Sequence, residues 1–319
     1  MTETIGGLGV GHWTSIDART GCTVLVFPEG TVASGEVRGG APATREFALL
    51  DPTSTVGTVD AVVLSGGSAF GLSAADGVMS ELERTDRGFP TRFGRVPIVV
   101  GMSLYDLGVG DPAVRPGADE GGVACREALQ SIGRPIVGGR LGAGSGATVG
   151  KWGGSAIDSG LGVATIVESI AESDADSTVE PVGGGTGDPR LVVTAVIAVN
   201  AFGFIDDGTL GDDPGPPRPP AFERTDGQPA GTPTNRTNTT IGVIVTNARV
   251  TKSDCLLLAQ SGHDGLARSL LPAHTAVDGD ALVAAATGEL EVDVDLMWLR
   301  ALAQAAVVRA VRSAGATTL

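Results

Sequence analysis

A chain of 319 residues has room for two average domains or one large core, and 42% apolar against 18% charged residues is a globular rather than a disordered composition. A net charge of −15 and a pI near 4.5 argue against sequence-independent nucleic-acid binding, which needs clustered Lys or Arg to meet phosphates. No stretch reaches the roughly 18 apolar residues of a membrane span and no basic patch leads into an apolar run near Met1, so a cytoplasmic protein without a membrane partner is the expectation.

With 49 glycines and 18 prolines punctuating short Val- and Ile-rich runs, the chain reads as mixed α and β. In chain order the patterns predict strands over Thr23–Phe27 and Ala61–Leu64, a helix over Gly71–Arg84, a strand over Pro97–Val100 and a helix over Asp119–Ser131. Strands follow over Gly162–Ile166 and Leu191–Ala198, separated by a polar surface loop at Glu172–Arg190. The apolar runs are continuous, which implies burial on both strand faces. Asp206–Thr237 carries DDPGPPRPP and DGQPAGTPTNRT and reads as a mobile linker. A strand over Thr240–Thr246, a helix over Lys252–Leu270 capped by Ser253 or Asp254, and a helix over Leu296–Arg312 complete the chain. Cys22, Cys125 and Cys255 are far apart and lack Cys-x-x-Cys spacing, so they read as reduced packing residues.

The sharpest feature is the junction NRTNTTIGVIVTNA, where the linker runs straight into an apolar strand at Thr239. A hydroxyl held at the start of a buried strand, after a segment that can bend, is suited to attack the preceding carbonyl and shift the acyl group from N to O. Hydrolysis of that ester would free an α-amine with a pKa of about 7.7–8.0, able to serve as the hydroxyl's own base. Taken alone, the junction reads first as an ordinary loop entering a strand through Thr; Asn238-Thr239-Thr240 also fits a glycosylation sequon, a reading that the lack of a secretion-signal pattern disfavours.

Elsewhere, Lys151 is one of only two lysines and lies among glycines and Trp152, where an ammonium can stabilise a growing oxyanion. Asp278 and Asp280 are two residues apart, so on an extended segment both point the same way; a plain D-G-D turn is the other reading. Asn200 ends the run LVVTAVIAVN, as an oxyanion donor or as a turn residue. Tyr105, the only tyrosine, is a pocket or a core aromatic. AGSGATVGKW misses a phosphate loop at Ser145 and Trp152, and GGSAFG misses the second glycine of a nucleophile elbow. The glycines of GGSAFG would instead let backbone approach the site. His12, His263 and His274 lack metal-ligand spacing, His263 reading as a packed or hydrogen-bonded helix residue, so neither metal nor cofactor is expected.

The tract from NTTIGVIVTNARV to HTAVDGD, together with RGGAPATRE, LSGGSAFGLSAADGV and AGSGATVGKWGG in that order, resembles the self-processing DmpA-like aminopeptidase family, which includes β-aminopeptidases and the nylon-oligomer hydrolase NylC. The resemblance covers nearly the whole chain. It implies an αββα four-layer sandwich of the N-terminal-nucleophile-hydrolase type, cut between Asn238 and Thr239. The α fragment would be 1–238, ending in a mobile linker 206–238, and the β fragment 239–319, the two forming one structural domain. By the same resemblance Thr239 is the nucleophile, Asp278 and Asp280 orient and charge-balance its amine, Lys151 and Asn200 stabilise the oxyanion, and Tyr105 lines the substrate pocket. Expected substrates are small amides: peptides with a free amino end, β-peptides, amino-acid amides or 6-aminohexanoate oligomers. The fragments are expected to stay together and the αβ units to form a homo-oligomer. The alternatives are an acyl transferase related to ornithine acetyltransferase, which passes the acyl group to an amine, and a non-cleaving small-molecule-binding protein.

Overall fold

Strands whose neighbouring side chains both enter apolar layers need no polar face, and this chain is built from such strands. The computed structural model describes residues 4–170, 189–208 and 238–315. Most of the loop expected at Glu172–Arg190 and most of the expected linker fall outside the described residues, while Arg190 itself begins a strand. Ten strands, β1 (Gly9–Ser15), β2 (Thr20–Val26), β3 (Val32–Val37), β4 (Thr44–Arg45), β5 (Ala61–Ser65), β6 (Val99–Ser103), β7 (Leu161–Ser169), β8 (Arg190–Ala198), β9 (Ile241–Thr246) and β10 (Ala281–Ala286), form two five-stranded sheets. The orders are β1-β2-β5-β6-β4 and β7-β8-β9-β10-β3. In each, one parallel pair, β5 with β6 or β9 with β10, sits among antiparallel neighbours.

Alternation along single strands assembles the layers. In β2, Leu25 joins a cluster between the sheets with Val62, Met102, Val196, Val243 and Val283, while Cys22, Val24 and Val26 face α1 (Ala74–Arg84) and α2 (Ala118–Gln130). In β10, Val283 and Ala285 face the first sheet, while Leu282, Ala284 and Ala286 pack with α3 (Lys252–Ala267) and α4 (Leu296–Gly315). Helices therefore cover the outer face of each sheet, giving the αββα order. The three cysteines are buried and free, and burial pushes each thiol up to about 12. Among the described residues no helix is long and apolar enough to cross a membrane.

Several expectations are corrected. The cap of α3 is Thr251, which accepts from the Asp254 amide while the Asp254 carboxylate accepts from the Thr251 amide, a reciprocal box in which Ser253 plays no cap role. That helix stops at Ala267 because Leu270–Leu271 pairs with Phe204–Ile205 in a short antiparallel ladder. The same pairing orders Asp206, whose amide donates to Ser269 O at 2.8 Å. Asn238, at the other end of the expected linker, is buried at 2% exposure. Strands β1, β3, β4 and β10 were not apparent in the sequence pattern. The first three are sheet edges with only partial burial, and ALVAAA in β10 is alanine-rich, a composition that favours helix unless sheet neighbours claim it.

Candidate functional site

Because β9 and β10 run parallel with Ile241 opposite Ala281, the residues just before them, Thr239 and Asp278–Asp280, lie side by side. Ala281 N donates to Thr240 O at 3.1 Å and Thr240 N donates to Asp280 Oδ1 at 2.8 Å. Strand β8 runs antiparallel beside β9, so its C-terminal end arrives at the same place, and Asn200 O accepts from Thr239 N at 2.8 Å. The turn at Lys151–Gly153 docks here through Gly150 N to Gly203 O at 2.7 Å and Trp152 N to Phe202 O at 2.8 Å. Gly150 and Gly154 bracket that turn at φ 77° and 87°, left-handed values that a side chain resists.

Thr239 is buried and its Oγ donates to the carbonyl oxygen of Asn238, the residue before it. The amide side chain of Asn238 is enclosed with neither polar atom hydrogen-bonded. Lys151 Nζ donates to Asn200 Oδ1 at 2.8 Å, Thr148 O at 3.0 Å and Asn200 O at 3.4 Å, so the lysine and the Thr239 amide share one carbonyl. Burial lowers the Lys151 ammonium to about 7, against the opposing pull of the Asp278 carboxylate. Asn200 Nδ2 donates to Tyr105 O at 3.0 Å, and Asn200 Oδ1 also accepts from Thr148 N at 3.0 Å. The side-chain acceptor of Asn200 thus faces the lysine, while its donor holds the Tyr105 backbone. Tyr105, half-buried, joins the cluster through its carbonyl.

The two carboxylates are held by backbone. Asp278 Oδ1 accepts from Phe202 N at 3.1 Å and its Oδ2 from the amide and hydroxyl of Thr275. Burial and the neighbouring Asp280 charge push the Asp278 carboxyl up, to about 6. Asp280 Oδ2 accepts from His274 N at 3.2 Å and lies 2.8 Å from His274 Nδ1. The Thr239 amide points to Asn200 O rather than to either acid. The stretch RGGA frames the acids from outside, with Arg38 N donating to Asp280 O at 2.9 Å and Ala41 N to Asp278 O at 2.8 Å. Between the acids, a side chain on Gly279 would begin 2.7 Å from Thr239 Oγ and 2.5 Å from Ala41 O, so this position admits glycine alone.

The fold therefore brings Asn238, Thr239, Lys151, Asn200, Asp278 and Asp280 into one cluster, with Tyr105 at its edge through its backbone. Sequence reasoning missed His274 and Gly279, although both lie in the tract that carries the family resemblance; a histidine six residues before the second acid was the available signal. The glycines of GGSAFG close on Asp106 instead, Gly67 N donating to Asp106 Oδ1 at 2.7 Å. Hydroxyl, carbonyl, ammonium and two carboxylates in a buried cluster are the parts of acyl transfer. Among the described residues no group of three or more His, Cys, Asp or Glu side chains is placed to hold a metal ion.

Comparison with known proteins places the chain in a family. Residues 3–318 match the profile of peptidase family S58. The chain is 40% identical over 307 residues to an uncharacterized aminopeptidase of Mycobacterium leprae (strain TN), covering 90% of this chain and 78% of that protein. It is 30% identical over 304 residues to a 6-aminohexanoate-oligomer endohydrolase of Kocuria sp. (strain KY2), covering 90% and 74% respectively. The fold matches an l-aminopeptidase d-ala-esterase/amidase from Ochrobactrum anthropi, a variant among the Ntn hydrolase fold, at TM-score 0.64 and 19% identity over 98% of this chain and 87% of that one. This chain belongs to peptidase family S58 and is a hydrolase of peptide and related amide bonds.

Proposed function

We propose that the chain cuts itself between Asn238 and Thr239 and then uses Thr239 as an N-terminal nucleophile that hydrolyses small amides. The observation that carries this reading is the Thr239 hydroxyl hydrogen-bonded to the carbonyl oxygen of the residue before it, in a buried setting. In the first step Oγ adds to the Asn238 carbonyl carbon, the C–N bond breaks as the Thr239 nitrogen takes a proton, and water then cleaves the ester, leaving a carboxyl on Asn238 and an amine on Thr239. In the mature enzyme the same hydroxyl attacks a substrate amide, the amine accepts its proton and passes it to the leaving nitrogen, and water releases the acid. Lys151 stabilises the oxyanion, and Asn200 takes part by holding that ammonium through its Oδ1; Asp280 and Asp278 fix the strand start and balance the charge of the amine; Tyr105 borders the substrate.

Fragments 1–238 and 239–319 remain one domain, because β9 and β10 lie together between β8 and β3 of the other fragment, and separation would expose both of their outer strand edges. The substrates are peptides with a free amino end, β-peptides, amino-acid amides or 6-aminohexanoate oligomers, and the αβ units form a homo-oligomer in the cytoplasm. The test is intact mass spectrometry under denaturing conditions. Fragments of about 24 and about 8 kDa are expected from the native 31.9 kDa chain, and none from Thr239→Ala, with hydrolysis lost alongside. A native chain that stays whole while hydrolysing amides would overturn the proposal.

A further inference from the structure

Buried His263 and half-buried His274 lie side by side, ring centroids 4.9 Å apart at 66°, yet their nitrogens face different groups. His263 Nε2 lies 2.9 Å from Glu36 O, a carbonyl that can only accept, so this nitrogen carries hydrogen. Its Nδ1 is buried with no hydrogen-bond partner. One acceptor and one bare nitrogen describe a neutral ring, and burial accordingly lowers this residue to about 4.

His274 has an acceptor at each end. Nε2 lies 3.3 Å from His263 O, and Nδ1 lies 2.8 Å from Asp280 Oδ2. The amides of Thr240 and His274 also donate to that carboxylate, so its oxygens are the acceptors of the cluster. A neutral imidazole has one N–H and satisfies only one of these acceptors; an imidazolium satisfies both. We infer that His274 is held doubly protonated as the counter-ion of Asp280, and that through Asp280 it is a positioning residue for the Thr239–Thr240 segment. This rests on the reading of Thr239 as nucleophile.

The charges around the ring are consistent with that assignment. His263 faces it from α3 as a neutral ring. Arg38, from the segment after β3, opposes the positive charge, but its guanidinium is engaged by Glu36 at 2.8 Å and Asp264 at 3.2 Å. Asp278 lies beyond Asp280 on the ring's own loop. Burial alone would lower the His274 pKa; the hydrogen bond and charge of Asp280 outweigh it and the net direction is up. A histidine shifted upward keeps its charge below the raised value and loses it as pH rises through that value. Loss of the ring proton removes the counter-charge from Asp280 beside Asp278 and loosens the carboxylate that holds the Thr240 amide. The device therefore acts on the alkaline side.

With only three histidines, 15N labelling reads each ring directly. At pH 7 the expected His274 spectrum has both nitrogens protonated, beside a His263 spectrum with one protonated and one bare; a neutral His274 ring overturns the inference. The second readout is kcat and KM against pH on an amino-acid p-nitroanilide. His274→Asn leaves an N–H for Asp280 but no charge, and is expected to lower kcat roughly tenfold with KM within about twofold and to abolish the alkaline fall that follows the His274 titration. His274→Asn with the native pH profile overturns the positioning role. If the native chain yields no 24 and 8 kDa fragments, the Thr239 reading fails instead, and the wild-type ring spectrum still decides the ion pair.

Discussion

Both sheets set a parallel pair among antiparallel strands, and both bury carboxylates at one end of that pair, but the company of those carboxylates differs. In the first sheet Asp106, just past β6, accepts from Gly67 N and from Thr20 Oγ, each at 2.7 Å, and burial raises its pKa. In the second sheet Asp278 and Asp280 stand before β10 beside a buried ammonium, an imidazole and a hydroxyl aimed at a carbonyl. Asp106 ties neutral groups together, whereas the pair sits where charge and a nucleophile meet. A buried acid alone is a weak sign of chemistry; an acid that shares its surroundings with cations and a reactive hydroxyl is a stronger one.

The sharpest way to break this comparison is at the ammonium. Lys151→Met keeps a long apolar stem and removes the charge beside Asn200. The expected outcome is a roughly 10²- to 10³-fold slower appearance of the two fragments, with a similar loss of kcat in whatever mature enzyme forms. Fragment formation followed by mass spectrometry and steady-state hydrolysis check it. A variant that matures at the native rate would reduce Lys151 to a structural role like that of Lys252, whose ammonium ties Leu49 O and Val56 O to the start of α3.

The next largest effect belongs to the glycine between the acids. Gly279→Ala drives a methyl toward Thr239 Oγ and Ala41 O, two groups that backbone hydrogen bonds hold in place. It is expected to destabilise by about 1–3 kcal/mol and to slow maturation sharply. Gly57→Ala, at an exposed position with nothing within 4 Å, is the control and is expected within about 0.5 kcal/mol of the native chain. Chemical denaturation and fragment formation compare the two.

How much of this was legible in the sequence depended on whether the signal was local. Thr239 stood out because a Pro- and Gly-rich segment turns abruptly into a buried strand, and Lys151 because lysine is rare in this chain. Layering was legible in continuous apolar runs such as those of β2 and β8. What escaped notice was set by partners distant in sequence. Alanine-rich β10 carries no strand pattern of its own until β3 and β9 flank it, and Asp106 looks like any loop acid until Gly67 and Thr20 close on it. The state of His274 depends on a carbonyl from α3 and a carboxylate from its own loop meeting opposite ends of one ring. The cap of α3 was misplaced by two residues because Thr251, Ser253 and Asp254 are all capping types, and only geometry selects among them.

The smallest expected effect tests the structural half of the comparison. Asp106→Asn retains an oxygen for Gly67 N and offers an N–H to the Thr20 hydroxyl, which then accepts rather than donates. Hydrolysis and maturation are expected to be unchanged, and stability at neutral pH to change by no more than about 1 kcal/mol. The pH dependence carries the sign. A carboxyl raised by burial binds its proton more tightly folded than unfolded, so its contribution to stability is full below the unfolded value of about 3.9 and is lost as pH rises through the folded one. An amide has no such loss. The stability of Asp106→Asn relative to the native chain should therefore improve as pH is raised from about 4 toward neutrality, measured by urea denaturation at a series of pH values. A relative stability that worsens over that range would mean that Asp106 gains from being ionised, the hydrogen bonds from Gly67 N and Thr20 Oγ outweighing its burial, and that a buried acid among neutral groups can be held charged.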